Sequence, residues 1–220
     1  MFTSDDLPKA STQIGKSLER AGVTIIIEGY ENIMANPKPC VFVANHMSTL
    51  ETFFLPGIIQ ATKPVTYVIK RFLTSYPFLG SILLRLDAIA VDRKSPRQDL
   101  ANILSLGAEQ LKFGRSVIIF PQGTRTNVLA PEQFNSLAVK LAKRSEVQLA
   151  PIALKTDAWG TGFIKDIGFI RPEKTVHFKF GEPLTITGNG KEQHAESLRF
   201  IIENCERWVF EEEQARQLGR

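Results

Sequence analysis

Two short polar stretches stand out in the 220-residue chain, each directly after an apolar run and each holding residues that can move protons or bind anions. The first reads Asn45-His46-Met47-Ser48-Thr49-Leu50-Glu51. A histidine leaving a buried strand, with a carboxylate in the first turn of the next helix, can form a base and its orienter. The carboxylate accepts a hydrogen bond from one imidazole nitrogen and fixes the tautomer. The other nitrogen is then ready to take a proton from an attacking hydroxyl. This is the two-residue remainder of a catalytic triad, with the substrate's hydroxyl in place of an enzyme nucleophile. A second reading stays open on these residues alone: Ser48-x-x-Glu51 is a capping box, in which Glu51 does no more than finish a helix. Positioned general-base catalysis contributes roughly 10²–10⁴-fold, so substrate positioning and oxyanion stabilisation must supply the rest.

The second stretch is Phe120-Pro121-Gln122-Gly123-Thr124-Arg125. Glycine lets a backbone approach a ligand closely. Exposed N–H groups, the Thr124 hydroxyl and the Arg125 guanidinium together make an anion site, with a bidentate fork suited to phosphate. The competing reading is a strand-to-loop turn with a solvated arginine. No G-x-S-x-G elbow and no Cys/His pairing offers a covalent nucleophile. Cys40 and Cys205 lie far apart and have no metal-ligand companion, so neither a disulfide framework nor a metal site is expected. His177 and His194 have no partner in the pattern and are read as structural.

The elements that must position these stretches follow from periodicity. Strands are expected over 23–30, 40–45, 64–70, 88–92, 116–120, 147–154 and 175–180. Helices are expected over 48–60, 97–113, 133–144 and 191–216, the last amphipathic through Leu198, Ile201, Ile202, Cys205, Trp208 and Val209. Residues 1–22 read as a polar helix or arm ahead of a domain over 23–220. Strands alternating with helices predict a single α/β domain with a mixed, mostly parallel central sheet flanked by helices. Such sheets carry ligand sites beyond the carboxyl ends of their strands, which is where both polar stretches fall.

The composition, 43% hydrophobic and 23% charged, excludes wholesale disorder. A net charge of +4 suits anionic partners such as phosphates, phospholipid headgroups or coenzyme A. No basic run interleaved with aromatics and no zinc-finger spacing supports nucleic-acid binding. The N-terminus shows no secretory pattern, and no stretch reaches the roughly 18–20 uncharged apolar residues of a spanning helix. A protein of this kind that works on lipids lies on the membrane surface. Segment 70–86, apolar between Lys70, Arg71 and Arg85, suits shallow insertion among anionic headgroups as well as it suits a core helix.

Taken in order, these segments resemble the glycerolipid acyltransferase family, which includes 1-acylglycerol-3-phosphate acyltransferases. The family's NHxxxxD block is matched by Asn45-His46 through Glu51, and its FPEGTR block by Phe120 through Arg125. Between them, Lys70, Leu73, Pro77, Gly80, Asp92 and Arg93 stand in the places of the second block, and Ala150-Pro151-Ile152 matches the fourth. The resemblance covers about residues 25–185 and implies a glycerol-3-phosphate acyltransferase-like fold. It implies direct transfer of an acyl group from acyl-CoA or acyl-carrier protein to a lysophospholipid hydroxyl, with no acyl-enzyme and no cofactor. By carry-over, His46 is the base and Glu51 its partner. Gly123, Thr124 and Arg125 hold the acceptor's phosphate, assisted by Arg93 and Lys70, and Pro151 is structural or lines the acyl site. The expected location is the cytoplasm, peripheral on the inner face of the cell membrane. Two departures mark the chain: Glu51 replaces Asp, and Gln122 replaces Glu, which removes a charge beside the expected phosphate. They leave open a different lipid or alcohol acceptor, or a catalytically weak lipid-binding module.

Overall fold

Strand and helix edges are set by individual residues more than by the runs they bound. The computed structural model describes residues 6–75, 83, 87–92, 94–160 and 168–219. In chain order it forms α1 (Asp6–Arg20), β1 (Ile25–Glu28), α2 (Tyr30–Met34), β2 (Val41–Ala44), α3 (Leu50–Gln60), β3 (Val65–Lys70) and a 3-10 turn over Arg71–Ser75. There follow β4 (Ile89–Val91), α4 (Pro96–Lys112), β5 (Ser116–Ile119), a 3-10 turn over Pro131–Gln133, α5 (Leu137–Arg144), β6 (Leu149–Lys155), β7 (Val176–Phe180) and α6 (Lys191–Gln217).

Most element edges fall within two residues of expectation, and two of the shifts have an identifiable cause. The first strand stops at Glu28 because Gly29 takes a positive φ of 69° and turns the chain into α2. The helix expected over 133–144 begins only at Leu137. Asn135 intervenes: its side chain accepts the Leu137 N–H and donates to the Pro121 carbonyl, an Asx-type turn that competes with helix.

One seven-stranded sheet runs in the order β1-β7-β6-β2-β5-β3-β4. All neighbours are parallel except β6 and β7. The five strands β6, β2, β5, β3 and β4 therefore end on one rim, whereas β7 and β1 end on the opposite one. The rim gathers residues 45–51, Lys70, Asp92, 120–125 and Thr156, which are remote in sequence.

The central strands are buried on both faces, so β2 is apolar throughout and β5 and β6 depart from this only at Ser116 and Lys155. Alternation along β2 divides the core. Phe42 and Ala44 face a layer with Leu7 and Leu18 of α1 and Leu50, Phe54 and Leu55 of α3. Val41 and Val43 face a layer with Ile103 of α4, Leu141 of α5, and Ile201 and Trp208 of α6. His177 is part of this packing: its ring stacks on Trp208 at 4.6 Å, and burial lowers its pKa to about 4.

Helix α1 docks closely on α3, where Ser11 Oγ donates to the Phe53 carbonyl at 3.0 Å. Gly57 allows this approach, since a Cβ there would lie 1.7 Å from Ser11 Oγ and 2.9 Å from the Leu7 carbonyl oxygen. Gly-to-Ala inside a helix ordinarily stabilises by roughly 0.5–1 kcal/mol. Gly57→Ala is expected to do the reverse, lowering the unfolding free energy by about 1–3 kcal/mol in urea titrations through overpacking.

Candidate active site

The site begins where β2 ends. Asn45, 3% exposed, extends the β2–β6 pairing with its side chain: Nδ2 donates to the Leu154 carbonyl at 2.7 Å and Oδ1 accepts the Leu154 N–H at 2.8 Å. The backbone of His46 is then held at both polar groups. Its N–H donates to Gln122 Oε1 at 3.0 Å, and its carbonyl accepts the Thr126 N–H at 2.9 Å. The imidazole stacks on Phe120 with centroids 4.4 Å apart and an interplanar angle of 22°.

Glu51 lies 0% exposed at the start of α3. His46 Nδ1 meets its Oε1 at 2.9 Å. The same oxygen accepts the backbone N–H of Met47 at 2.5 Å and of Ser48 at 2.8 Å. Oε2 accepts the hydroxyls of Ser48 at 2.9 Å and of Thr156 at 2.5 Å. Burial pushes the Glu51 carboxyl upward, but the hydrogen bond and charge of His46, with those of Thr156 and Ser48, prevail, and its pKa is lowered. A carboxylate only accepts, so Nδ1 carries the imidazole proton and Nε2 keeps its lone pair. The two readings of Ser48-x-x-Glu51 are thus both realised. The carboxylate takes the Ser48 N–H as a capping box does, and it orients the imidazole at the same time.

Beside His46 is a cavity of about 510 Å³, lined by Lys70, Gly123, Thr124 and Arg125 and by the apolar side chains of Tyr67, Ile69, Phe72, Leu73 and Phe120. Gly123 has a positive φ of 69°, and its N–H closes a turn onto the Phe120 carbonyl at 3.0 Å. Arg125 is steadied at the rim by donating to Thr49 Oγ1 at 3.0 Å. Of the expected site residues, His46, Glu51, Lys70, Gly123, Thr124 and Arg125 therefore gather at one rim. Arg93 lies outside the described residues, as do Pro77, Gly80 and most of the segment 70–86.

Gln122 does not line this cavity. Its carbonyl oxygen serves the His46 backbone, and its side chain lines a second cavity of about 570 Å³ with Asn45, Met47, Val128, Leu129 and Phe210. A Glu in this place could accept the same N–H, so the exchange bears first on how His46 is held. Pro151 is buried. It sits inside β6 opposite Val43, with its carbonyl accepting the Gly181 N–H at 2.8 Å. Sequence reasoning missed Thr156, the Phe120 stack and the role of Asn45. Spacing could have marked only Asn45, which adjoins the base.

The fold agrees with what known proteins show. The chain belongs to the acyltransferase family: the family model described as Acyltransferase matches residues 24–155, from β1 to the end of β6. A 1-acyl-sn-glycerol-3-phosphate acyltransferase of Pseudomonas aeruginosa is 34% identical over 191 residues, covering 87% of this chain and 69% of the relative. The protein of that name from Saccharomyces cerevisiae is 33% identical over 136 residues, covering 60% of this chain and 43% of its own length. The crystal structure of the 1-acyl-sn-glycerophosphate acyltransferase PlsC from Thermotoga maritima superposes with a TM-score of 0.73 over 93% of this chain and 78% of that one. At 18% identity it bears on the fold alone.

Glu51→Gln keeps the shape but removes the charge that favours imidazolium. Its kcat is expected to fall about 10²-fold or more. The lowered pKa of Glu51 also gives a sign for stability: its contribution is present above the unfolded value of about 4.3 and is lost as pH falls through the lower folded value. Urea unfolding of the Gln variant below about pH 4.3 should therefore be less acid-sensitive than that of the wild type.

Proposed function

We propose that this acyltransferase moves a fatty acyl group from acyl-CoA or acyl-carrier protein onto the free hydroxyl of lysophosphatidate or a closely related lysophospholipid, as a step of phospholipid synthesis. The observation that carries the reading is the His46–Glu51 pair at 2.9 Å, beside a cavity that also holds Lys70 and the Gly123–Arg125 turn. His46 Nε2 takes the proton of the acceptor hydroxyl as its oxygen attacks the thioester carbon. The tetrahedral intermediate collapses with cleavage of the C–S bond, and the imidazolium returns the proton to the departing thiolate. Glu51 holds the imidazole and stabilises its charged form, so no acyl-enzyme is needed. Arg125 and Lys70 supply charge for the acceptor's phosphate, with the Gly123–Thr124 backbone beneath it. The resemblance adds Arg93 to this set. The apolar cavity across Gln122, bordered by Val128 and Phe210, offers room for an acyl chain.

The setting that fits is the membrane surface, on the inner face of the cell membrane. No helix among the described residues is long and apolar enough to cross a membrane. Phe72 is 53% exposed next to Arg71 and Lys70, a pairing of apolar and basic groups suited to anionic headgroups.

The test is turnover of lysophosphatidate with labelled acyl thioester. His46→Ala is expected to lose about 10²–10⁴-fold in kcat, and equal turnover by variant and wild type overturns the base. Arg125→Ala is expected to raise KM for the phosphate-bearing acceptor about tenfold, with little change for a phosphate-free alcohol. An equal rise for both acceptors removes the phosphate site.

A further inference from the structure

Glu51 is ordered from beyond its own turn of chain. Four of its donors lie within residues 46–48, but the fifth, the Thr156 hydroxyl, comes from just past the end of β6, 105 residues away. We propose that Thr156 is a positioning residue of the catalytic pair: its hydroxyl holds Glu51 Oε2, so that Oε1 is left facing His46. This rests on His46 being the base.

Both partners are sealed from solvent, Thr156 and Glu51 each at 0% exposure, so water does not replace the bond if it is lost. Oε2 has two hydroxyl donors, and the other, Ser48 Oγ, also lies 3.0 Å from Thr156 Oγ1. Without Thr156, Oε2 keeps only the Ser48 hydroxyl, which itself accepts the Leu50 N–H at 3.1 Å and belongs to the same turn of chain as Glu51. The carboxylate then loses its fixed plane, and with it the angle at which Oε1 meets Nδ1.

Thr156 is itself anchored on both sides. Lys155 Nζ, 2% exposed as a residue, pairs with Asp157 Oδ1 at 3.0 Å and with Glu212 Oε1 of α6 at 3.0 Å. Lys174 also pairs with Asp157, and it approaches Glu212 Oε2 at 3.7 Å. With Arg216, which reaches Glu212 Oε2 at 3.9 Å, this cluster binds the end of β6 to the C-terminal helix, and Thr156 lies between two of its members. The titratable group that meets Glu51 directly is His46. Lys155 and Asp157 flank Thr156 but spend their charge on Glu212 and Lys174, and Arg125 reaches Thr49, the residue before α3.

The experiment compares Thr156→Val, which keeps shape and loses the hydroxyl, with Thr156→Ser, which keeps the hydroxyl. Each is assayed over a range of pH with lysophosphatidate and acyl-CoA. Val is expected to lower kcat about tenfold or more, leave KM within about twofold, and move the acidic limb of the rate profile to higher pH. That direction follows because losing a donor makes the carboxylate more basic and its imidazolium partner harder to deprotonate. Ser is expected to restore both kcat and the limb. Wild-type kcat and limb position in the Val variant overturn the proposal, and so does a Ser variant that falls as far as Val. Should Val not fold, Thr156→Cys, isosteric with Ser and a weak donor, must show the same loss and the same displacement. Loss of activity in His46→Ala alongside an unchanged Val variant defeats only the role of Thr156. Full turnover in His46→Ala defeats the base assignment itself.

Discussion

A carboxylate closed off from water is one of the costliest things a protein can contain unless every oxygen is matched by donors. Glu51 meets that demand with donors from three places: the end of β2, the turn that starts α3, and the residue after β6. None of these can shift without exposing an unmatched anion. The geometry of the sheet makes the convergence available, because β2 and β6 are parallel neighbours that run to the same rim, β6 continuing three residues past the level of Ala44. Asn45 then bolts the two ends together through both polar groups of Leu154. The imidazole is consequently fixed by the same arrangement that keeps the buried charge satisfied.

That arrangement leaves His46 little freedom. Its ring is braced by Phe120, its N–H by Gln122 and its carbonyl by Thr126, all from the segment after β5. The Gly123–Arg125 turn and His46 are thus parts of one unit, and they adjoin because β5 is the other parallel neighbour of β2. Preorganisation of this kind spares the reaction the cost of aligning groups when charge develops.

Much of this was legible in the sequence. The short, largely apolar runs at 40–45, 116–120 and 147–154 read as strands covered on both faces, and the polar stretches after the first two are expected at a sheet edge. What escaped were effects carried by single side chains across long separations. Gly29 ends its strand through a backbone conformation that hydrophobic periodicity does not encode. Asn135 delays α5 by bonding back to Pro121. Gln122, judged by its place within a motif, stands beside the expected phosphate, and that place gives no hint that its Oε1 accepts the His46 N–H. Thr156 carries no signal at all, since its partner is 105 residues distant and its type is common at strand ends.

The polarity of the sheet also divides the molecule into two unequal ends. Chemistry crowds the rim where β2, β3, β5 and β6 finish, and the turns at the opposite ends of these strands are released from it. The turn before β5 is an example: Gly114 has a positive φ of 82°, and a Cβ built there would meet nothing within 4 Å. A fluorophore, an affinity handle or a surface tether attached at this turn would project from the far side of the sheet. The enzyme could then be immobilised or tracked with the rim that carries His46 and Glu51 left free.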